Sequence, residues 1–228
     1  MQPAFVLHRW DYQETSLLVD CFSLEDGRVR LLAKGAKRKT SSWKGVLQPF
    51  IPLNVQWGGR GDLKTLTHAE AMSHNYELRS DFLYSGFYIN ELLQRVLPQH
   101  VAVPSLFECY PQLLQRLADK QPIETTLRWF EWQLLDELGS VFEWPQLEQR
   151  DELPETLYFR GNSGFNVDYL DSDCVTISRD QAIALGQSDW LNDPLTESQR
   201  YNLKRIMRHA LAPFIGDKPL RARALFKR

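Results

Sequence analysis

The first 70 or so residues alternate between short apolar runs and turn residues, a pattern typical of β-strands. The runs are rich in Val, Leu and Phe, and they lie at residues 4–9, 16–23, 27–33, 50–57 and 63–70. Acidic or glycine-rich turns at 25–27 and 58–62 separate neighbouring runs. Five short strands in a segment of this length predict a small β-barrel, and the OB-fold is the five-stranded barrel of this size.

Beyond residue 80, apolar residues recur every three or four positions, which indicates helices. The predicted helices cover residues 81–97, 104–117, 124–138, 178–186 and 198–214. A small β-hairpin is predicted near 157–167, around Gly161 and Gly164. We therefore predict an α+β fold with two domains. A five-stranded OB-fold barrel at 1–79 precedes a mainly α-helical domain at 80–228, which carries the hairpin and a basic C-terminal segment.

The composition places the chain among globular proteins of a reducing compartment. Hydrophobic residues make up 43% of the sequence, enough for a buried core. The three cysteines, Cys21, Cys109 and Cys174, are odd in number and far apart, so a disulfide framework is not expected. No signal peptide or apolar run of membrane-spanning length is visible. We expect a cytoplasmic protein.

Positive charge is concentrated in two segments, although the formal net charge is only −2. Residues 27–61 contain eight Lys or Arg residues and no Asp or Glu. Residues 199–228 contain nine Lys or Arg residues and one acidic residue. The intervening residues 62–198 hold nine basic and 23 acidic residues. Charge runs are often solvated faces, but two runs so poor in acids favour contact with phosphate backbones through counterion release.

Candidate DNA contacts follow from this distribution. Cations that track phosphates and aromatic rings that stack on bases are the usual means of holding single strands. The first segment offers Arg28, Arg30, Lys34, Lys37, Arg38, Lys39 and Lys44, with Trp43 expected to be exposed among them. Trp57 fits a core position and a base contact equally well. The second segment offers Lys204, Arg205, Arg208, Arg221 and Arg223 for a second strand.

Enzymatic alternatives have weaker support in the sequence. The segment 58–65 approaches a phosphate-binding P-loop, but Leu63 stands where a glycine is required. Asp11, Glu14, Asp20, Glu25 and Asp26 could form the metal site of a small nuclease, although their spacing does not demand one. We predict no catalytic residues, no metal and no cofactor. The open alternatives are a metal-dependent nuclease and an adaptor that binds only proteins.

Several short runs along the chain form a recognisable set. They are GRVRLLAKGAKR at 27–38, LQPF at 47–50, LYSG at 83–86, YINEL at 88–92, LR at 127–128 with FE at 130–131, and KPL at 218–220 with Arg223 and LF at 225–226. Together, and in this order, these runs resemble the RecO family of recombination mediators. The resemblance covers roughly residues 4–227. It implies an OB-fold followed by a helical domain, binding to single- and double-stranded DNA, and annealing of complementary strands in DNA repair at the nucleoid.

The resemblance also implies partners. They are RecR, the acidic tail of the single-stranded DNA-binding protein SSB, and a functional link to RecA and RecF. A receptor for such a tail needs an apolar groove with a cation at its rim, which Arg128 with Phe130, Leu134 and Leu138 could supply. The alternative is an ordinary core helix with one exposed Arg. Some family members carry a four-cysteine zinc site, but Cys174 stands alone here without a CxxC pair.

Overall fold

A computed structural model describes residues 1–61, 63–72, 75–169 and 171–227 of the chain. Its N-terminal strands are β1 Gln2–Tyr12, β2 Ser16–Ser23, β3 Gly27–Ala33, β4 Pro52–Gly58 and β5 Leu63–Ala71. They are followed by helices α1 Ser80–Val96, α2 Pro104–Ala118, α3 Ile123–Glu137, α4 Arg179–Gln187 and α5 Glu197–Ile215. A second set of strands is β6 Thr156–Arg160, β7 Gly164–Asn166 and β8 Val175–Ser178. Short 3-10 helices cover Leu147–Gln149 and Arg221–Lys227.

The first five strands close into a barrel in the order β1-β2-β3-β5-β4. Strands β3 and β5 pair in parallel, and the other pairs are antiparallel. Alternate residues of each strand, such as Val19, Cys21, Val29 and Leu31, fill the interior. The predicted α+β fold with a five-stranded N-terminal barrel is confirmed.

An irregularity in β1 changes which side chains face outward. Val6 pairs with Cys21 but His8 pairs with Asp20, so Leu7 is an extra residue in the ladder. A bulge of this kind shifts the alternation of the strand by one residue. Before it Val6 points into the core, and after it Trp10 pairs with Leu18 outside the core cluster. The strand also continues to Tyr12, beyond the predicted end at residue 9.

Helices α1 and α2 pack against outward-facing residues of the barrel. The rings of Phe5 and Tyr110 lie 4.9 Å apart in an edge-on contact. Asn90 of α1 accepts a hydrogen bond of 2.5 Å from the Tyr110 hydroxyl, and it donates one of 3.0 Å to the Leu7 carbonyl. Gly27 lies so close to the chain between the two helices that a Cβ there would stand 1.8 Å from the Val101 carbonyl oxygen. These contacts join α1 and α2 to the barrel.

The chain divides into two compact units. The barrel unit comprises Met1–Gln121 and Pro219–Arg228, and the helical unit comprises Pro122–Lys218. The predicted boundary between residues 79 and 80 coincides with the start of α1, whereas the compact units divide after α2. The division into domains at 79 remains a prediction.

The helical unit contains α3, α4 and α5 with a three-stranded sheet in the order β7-β6-β8. The predicted hairpin is β6 with β7, in which Phe159 pairs with Phe165, and β8 is a further strand. Aromatic residues form a cluster beside the sheet, with ring centroids of Phe142 and Phe159 at 4.5 Å and of Trp132 and Phe142 at 5.0 Å. Cys174 is the single cysteine between residues 122 and 218, so this unit lacks the cysteines of a four-cysteine zinc site.

Candidate nucleic-acid interface

The connection that follows β3 carries most of the predicted cations, and we call its residues 34–44 the basic loop. Ala36 and Leu47 are buried in the barrel core at the two ends of this segment. The Lys37 backbone N–H donates a hydrogen bond of 2.9 Å to the Thr15 carbonyl in the β1–β2 turn. Trp43 is half-buried and packs against the core, in contrast to the exposed position that its polar neighbours suggest. The basic loop is therefore anchored to the barrel at several points.

The cations of the basic loop point to solvent. Lys34, Lys37, Arg38, Lys39 and Lys44 are all exposed. Lys37 Nζ lies 3.1 Å from Asp11 Oδ2. For the other four, the described part of the chain offers no carboxylate at ion-pair distance. Their charges are thus available to an external anion, whereas Trp57, like Trp43, is half-buried against the core.

Two other predicted cations, Arg28 and Arg30, project from β3 toward one buried carboxylate. Asp20 is fully buried, and Arg28 binds it through Nη2 at 2.9 Å and Nε at 3.1 Å. A third hydrogen bond runs from Arg28 Nη1 to the Leu97 carbonyl at 3.1 Å. Arg30 Nη2 is 3.9 Å from the same Asp20 oxygen. The single negative charge of Asp20 is neutralised by the guanidinium of Arg28, which thereby stabilises the fold. The positive charge of Arg30 is therefore not compensated by Asp20.

Arg30 lines an open cleft on the outer face of the barrel, which we call the barrel cleft. Its volume is about 520 Å³, and its lining residues are Tyr12, Leu18, Arg30, Leu63, Gln99 and His100. Trp10 stands beside it, with Arg30 Cζ 5.6 Å from the centroid of the indole and His8 edge-on at 4.5 Å. Trp10 and Tyr12 were missed as candidate site residues because β1 was predicted to end at residue 9. The continued alternation of aromatic residues at 10 and 12 was the available signal.

The second basic segment is divided between the two compact units. Lys204, Arg205 and Arg208 lie on α5 of the helical unit, whereas Arg221 and Arg223 belong to the C-terminal 3-10 helix of the barrel unit. On α5 the Arg205 guanidinium lies 5.6 Å from the centroid of the exposed Tyr201 ring, and Lys204 Nζ is 3.5 Å from Glu124 Oε1. We call Tyr201, Lys204, Arg205 and Arg208 the α5 surface.

The C-terminal 3-10 helix is held against α1 of the barrel unit. The Glu91 carboxylate accepts hydrogen bonds from the backbone N–H groups of Arg221 at 2.9 Å and Ala222 at 2.8 Å. Partial burial lowers the pKa of His8. The negative charges of Asp20 and Glu91 raise this pKa, and the positive charge of Arg221 lowers it. The charge of Arg221 therefore acts on His8, whose ring contacts Trp10. The Arg223 side chain lies outside the described part.

The predicted tail site on α3 differs from an open groove. Arg128 is buried, and its Nη2 is 2.6 Å from Glu131 Oε1 in a buried ion pair. Phe130 and Leu134 are fully buried, and Leu138 is half-buried. The cation therefore does not stand exposed at a rim. The role of these four residues in binding an SSB tail remains a prediction.

The acidic residues considered for a nuclease do not converge. Asp20 is buried against Arg28, whereas Asp11 is exposed beside Lys37. Across the described ranges, no group of three or more His, Cys, Asp or Glu side chains is placed to hold a metal ion. The P-loop-like segment joins the antiparallel strands β4 and β5, where a P-loop would lead into a helix. Every helix within these ranges is too short or too polar to cross a membrane.

Comparison with known proteins agrees with this architecture. The sequence profile described as "Recombination protein O N terminal" matches residues 1–74, and "Recombination protein O C terminal" matches residues 80–145. A protein named DNA repair protein RecO from Idiomarina loihiensis is 45% identical over 233 residues, covering 99% of this chain and 97% of the relative. A relative of the same name from Haemophilus influenzae is 43% identical, and the match covers 99% of this chain and 95% of the relative. Another from Actinobacillus pleuropneumoniae is 44% identical, and the match covers 98% of this chain and 92% of the relative.

A small five-stranded barrel with an exposed basic loop and aromatic residues on its outer face has the features of OB-fold modules, a class in which many members bind nucleic acids. Within that class, the two profile matches and the 45% identity to a RecO protein over nearly the full length show the family. The chain belongs to the RecO family.

Proposed function

We propose that the protein is a non-catalytic mediator of DNA repair by recombination. It binds single- and double-stranded DNA, anneals complementary strands and, together with RecR, helps RecA to load onto SSB-coated DNA in a pathway that includes RecF. Its place of action is the nucleoid in the cytoplasm. The observation that carries the proposal is the basic loop, with four exposed cations that lack carboxylate partners among the described residues.

The chemistry of the basic loop suits DNA of any sequence. Lys and Arg side chains that neutralise phosphates release condensed counterions, and this term does not depend on the bases. An annealing protein must accept every sequence, so contacts to phosphates serve it better than contacts to base edges. The anchors of the loop at Ala36, Lys37 and Leu47 hold these cations on a defined surface of the barrel.

Annealing also requires that the repulsion between two strands be screened. The α5 surface of the helical unit supplies a second group of cations, Lys204, Arg205 and Arg208. We propose that one strand is held by the barrel unit and the complementary strand by the α5 surface. Support for this division is that each unit presents its own basic surface.

Contact with the SSB tail is part of the proposal and depends on α3. Arg128 is buried with Glu131, so binding of an acidic tail there requires the side chain to change partner. Binding of a tail peptide should weaken in Arg128→Glu and largely persist in Arg128→Lys. Equal binding by wild type and Arg128→Glu would remove Arg128 from the site, and a thermal melt of each variant checks the fold.

The decisive experiment is annealing of two complementary oligonucleotides, bare and SSB-coated, without nucleotide and with a chelator present. We expect full activity, since no step needs a metal or ATP. DNA cleavage that appears on adding a divalent metal would favour the nuclease. Failure to bind naked oligonucleotides would favour the protein-only adaptor.

A matched pair of variants connects this activity to the basic loop. Lys39→Glu reverses one exposed charge of the loop, whereas Lys120→Glu reverses one exposed charge elsewhere in the barrel unit, after α2. Lys39→Glu should weaken DNA binding and slow annealing, and Lys120→Glu should leave both close to wild type. Equal behaviour of the two variants would remove Lys39 from the proposed interface.

A further inference from the structure

We propose that the barrel cleft receives a single unpaired nucleobase and thereby gives the protein a preference for unpaired over paired DNA. This inference rests on the proposed function, because it assigns a second kind of contact to a DNA-binding barrel. The basic loop supplies contacts to phosphates, which both forms of DNA offer. The cleft supplies a contact that only an unstacked base can make.

The first observation is the exposure of Tyr12 and Leu63, which line the cleft, and of Trp10, whose ring contacts the lining residue Arg30. Trp10 is 38% exposed, Tyr12 36% and Leu63 43%, although large apolar groups are usually buried in a folded domain. The Trp10 ring is held in place by His8 at its edge and Arg30 over its face. A ring fixed in this way loses little conformational freedom when a base stacks on it.

The second observation is the uncompensated charge of Arg30. Asp20 is already bound by Arg28 through short hydrogen bonds, and Arg30 is 3.9 Å from it. Arg30 Nε is buried and has no hydrogen-bond partner. The Arg30 side chain as a whole is 37% exposed, so its planar guanidinium can stack on a base, which suits a nucleobase better than an aliphatic ligand.

The third observation is the position of the cleft relative to the basic loop. In β3 the side chains of Arg30 and Leu32 point to the outer face, and Lys34 continues the alternation as the first residue of the loop. At about 3.3 Å per residue, Arg30 and Lys34 lie about 13 Å apart along the chain. One strand of DNA can therefore contact the loop with its phosphates and reach the cleft with a base.

The size of the cleft and the structure of duplex DNA determine the preference. A volume of about 520 Å³ is typical of sites for small molecules and is ample for one base. In a duplex both faces of a base are covered by its neighbours, so entering the cleft would require unstacking and unpairing. The cleft therefore adds affinity for single strands alone.

The test compares Trp10→Ala with Tyr169→Ala, an exposed aromatic residue of the helical unit, in the full chain. The probes are a labelled oligonucleotide, the matching duplex, and an oligonucleotide of the same length that lacks bases at abasic sites. Trp10→Ala should lower the affinity for the normal single strand by about fivefold or more and leave duplex affinity within about twofold. Tyr169→Ala should resemble wild type on all three probes.

The abasic probe separates a base contact from a phosphate contact. Wild type should bind it more weakly than the normal single strand, and Trp10→Ala should show little difference between them. An equal loss on single strand and duplex in Trp10→Ala, or a wild type indifferent to abasic sites, would overturn the inference while the proposed function stands. A wild type that binds none of the probes would overturn the proposed function itself. Trp10→Phe, which keeps an aromatic ring, checks that any loss is due to stacking and should retain most of the affinity.

Discussion

The barrel surface and the α5 surface differ in how their cations are assembled and how fully they are compensated. On α5, Tyr201, Lys204, Arg205 and Arg208 come from one helix, and Lys204 shares Glu124 with Arg200. On the barrel, the basic loop, Trp10 of β1 and Arg30 of β3 come together from separate segments. Four cations of the loop have no carboxylate partner among the described residues.

The difference indicates that positive residues near each other in sequence are not equivalent. Arg28 and Arg30 are two residues apart on the same strand, yet the first is engaged by Asp20 and Leu97 and the second is left with its charge exposed to the cleft. Carboxylate and carbonyl partners within the fold decide which cations keep an uncompensated charge. The following predictions test that distinction, from the largest expected effect to the smallest.

Replacing Arg28 should affect stability far more than replacing Arg30. Arg28→Met leaves the buried Asp20 without its main partner, which we expect to lower the free energy of unfolding by about 3–5 kcal/mol. Arg30→Met removes a half-exposed cation and should cost less than about 1 kcal/mol. Urea denaturation of the two variants gives the comparison. Similar losses would show that both arginines serve the fold.

The salt dependence of DNA binding should separate the two surfaces. Reversing Arg38, Lys39 and Lys44 together should reduce the slope of log affinity against log salt by about 2 for single strands, since each phosphate contact contributes about 0.7. Reversing Lys204, Arg205 and Arg208 should reduce it by only about 1.4, because Glu124 already compensates Lys204 and two contacts of about 0.7 each remain. Titrations at several salt concentrations measure both slopes. A larger reduction of the slope in the α5 variant than in the basic-loop variant would contradict the view that the basic loop is the main phosphate-binding surface.

Exposed aromatic residues of the two surfaces should also contribute differently to the affinity for single-stranded DNA. Tyr201 on α5 contacts Arg205 through a cation–π interaction in open solvent, where such contacts contribute about 0.5–1 kcal/mol. Tyr201→Ala should lower the free energy of unfolding by about that amount. Its effect on single-strand affinity should be smaller than that of Trp10→Ala, because Tyr201 is 61% exposed, whereas Trp10 is 38% exposed and contacts Arg30 of the barrel cleft. Fluorescence anisotropy with one labelled oligonucleotide compares the two variants.

The smallest expected effect concerns pH and His8. Partial burial lowers the pKa of His8 below its usual 6.5, so the unfolded chain takes up this proton first as the pH falls. The contribution of His8 to stability is therefore present above about pH 6.5 and is lost as the pH falls through the lowered pKa. The stability difference between wild type and His8→Gln should shrink between pH 7.5 and 5.5. A constant difference over that range would contradict this assignment.

Much of the fold could be predicted from local pattern. Strands β2 and β3 lie at the predicted positions, and each helix end differs from its predicted position by at most one residue. The turn chemistry and the periodicity of these segments are local properties, which explains the agreement. Strand β8 was missed because its four residues, Val175–Ser178, are too few to show an alternation.

The candidate site could be predicted only in part. The basic loop was evident, since a run of Lys and Arg without acids needs no tertiary information. The half-burial of Trp43 was not, because its neighbours Ser42 and Lys44 are polar while its ring packs on a core formed by distant strands. The buried ion pair of Arg128 and Glu131 was also missed, because the burial of α3 residues depends on parts of the chain that are distant in sequence. The spacing of three residues on a helix is compatible with such a pair.

The sequence by itself determined the strand and helix segments, the segregation of charge and the resemblance to the RecO family, because each is written in neighbouring residues. The tertiary structure decided which of those residues are exposed and which are engaged by partners within the fold. Without the bulge at Leu7, a strict alternation would place Trp10 on the same side as Val6, inside the barrel. The extra residue turns Trp10 outward beside Arg30, because pairing of β1 with β2 sets the register that the sequence alone leaves open.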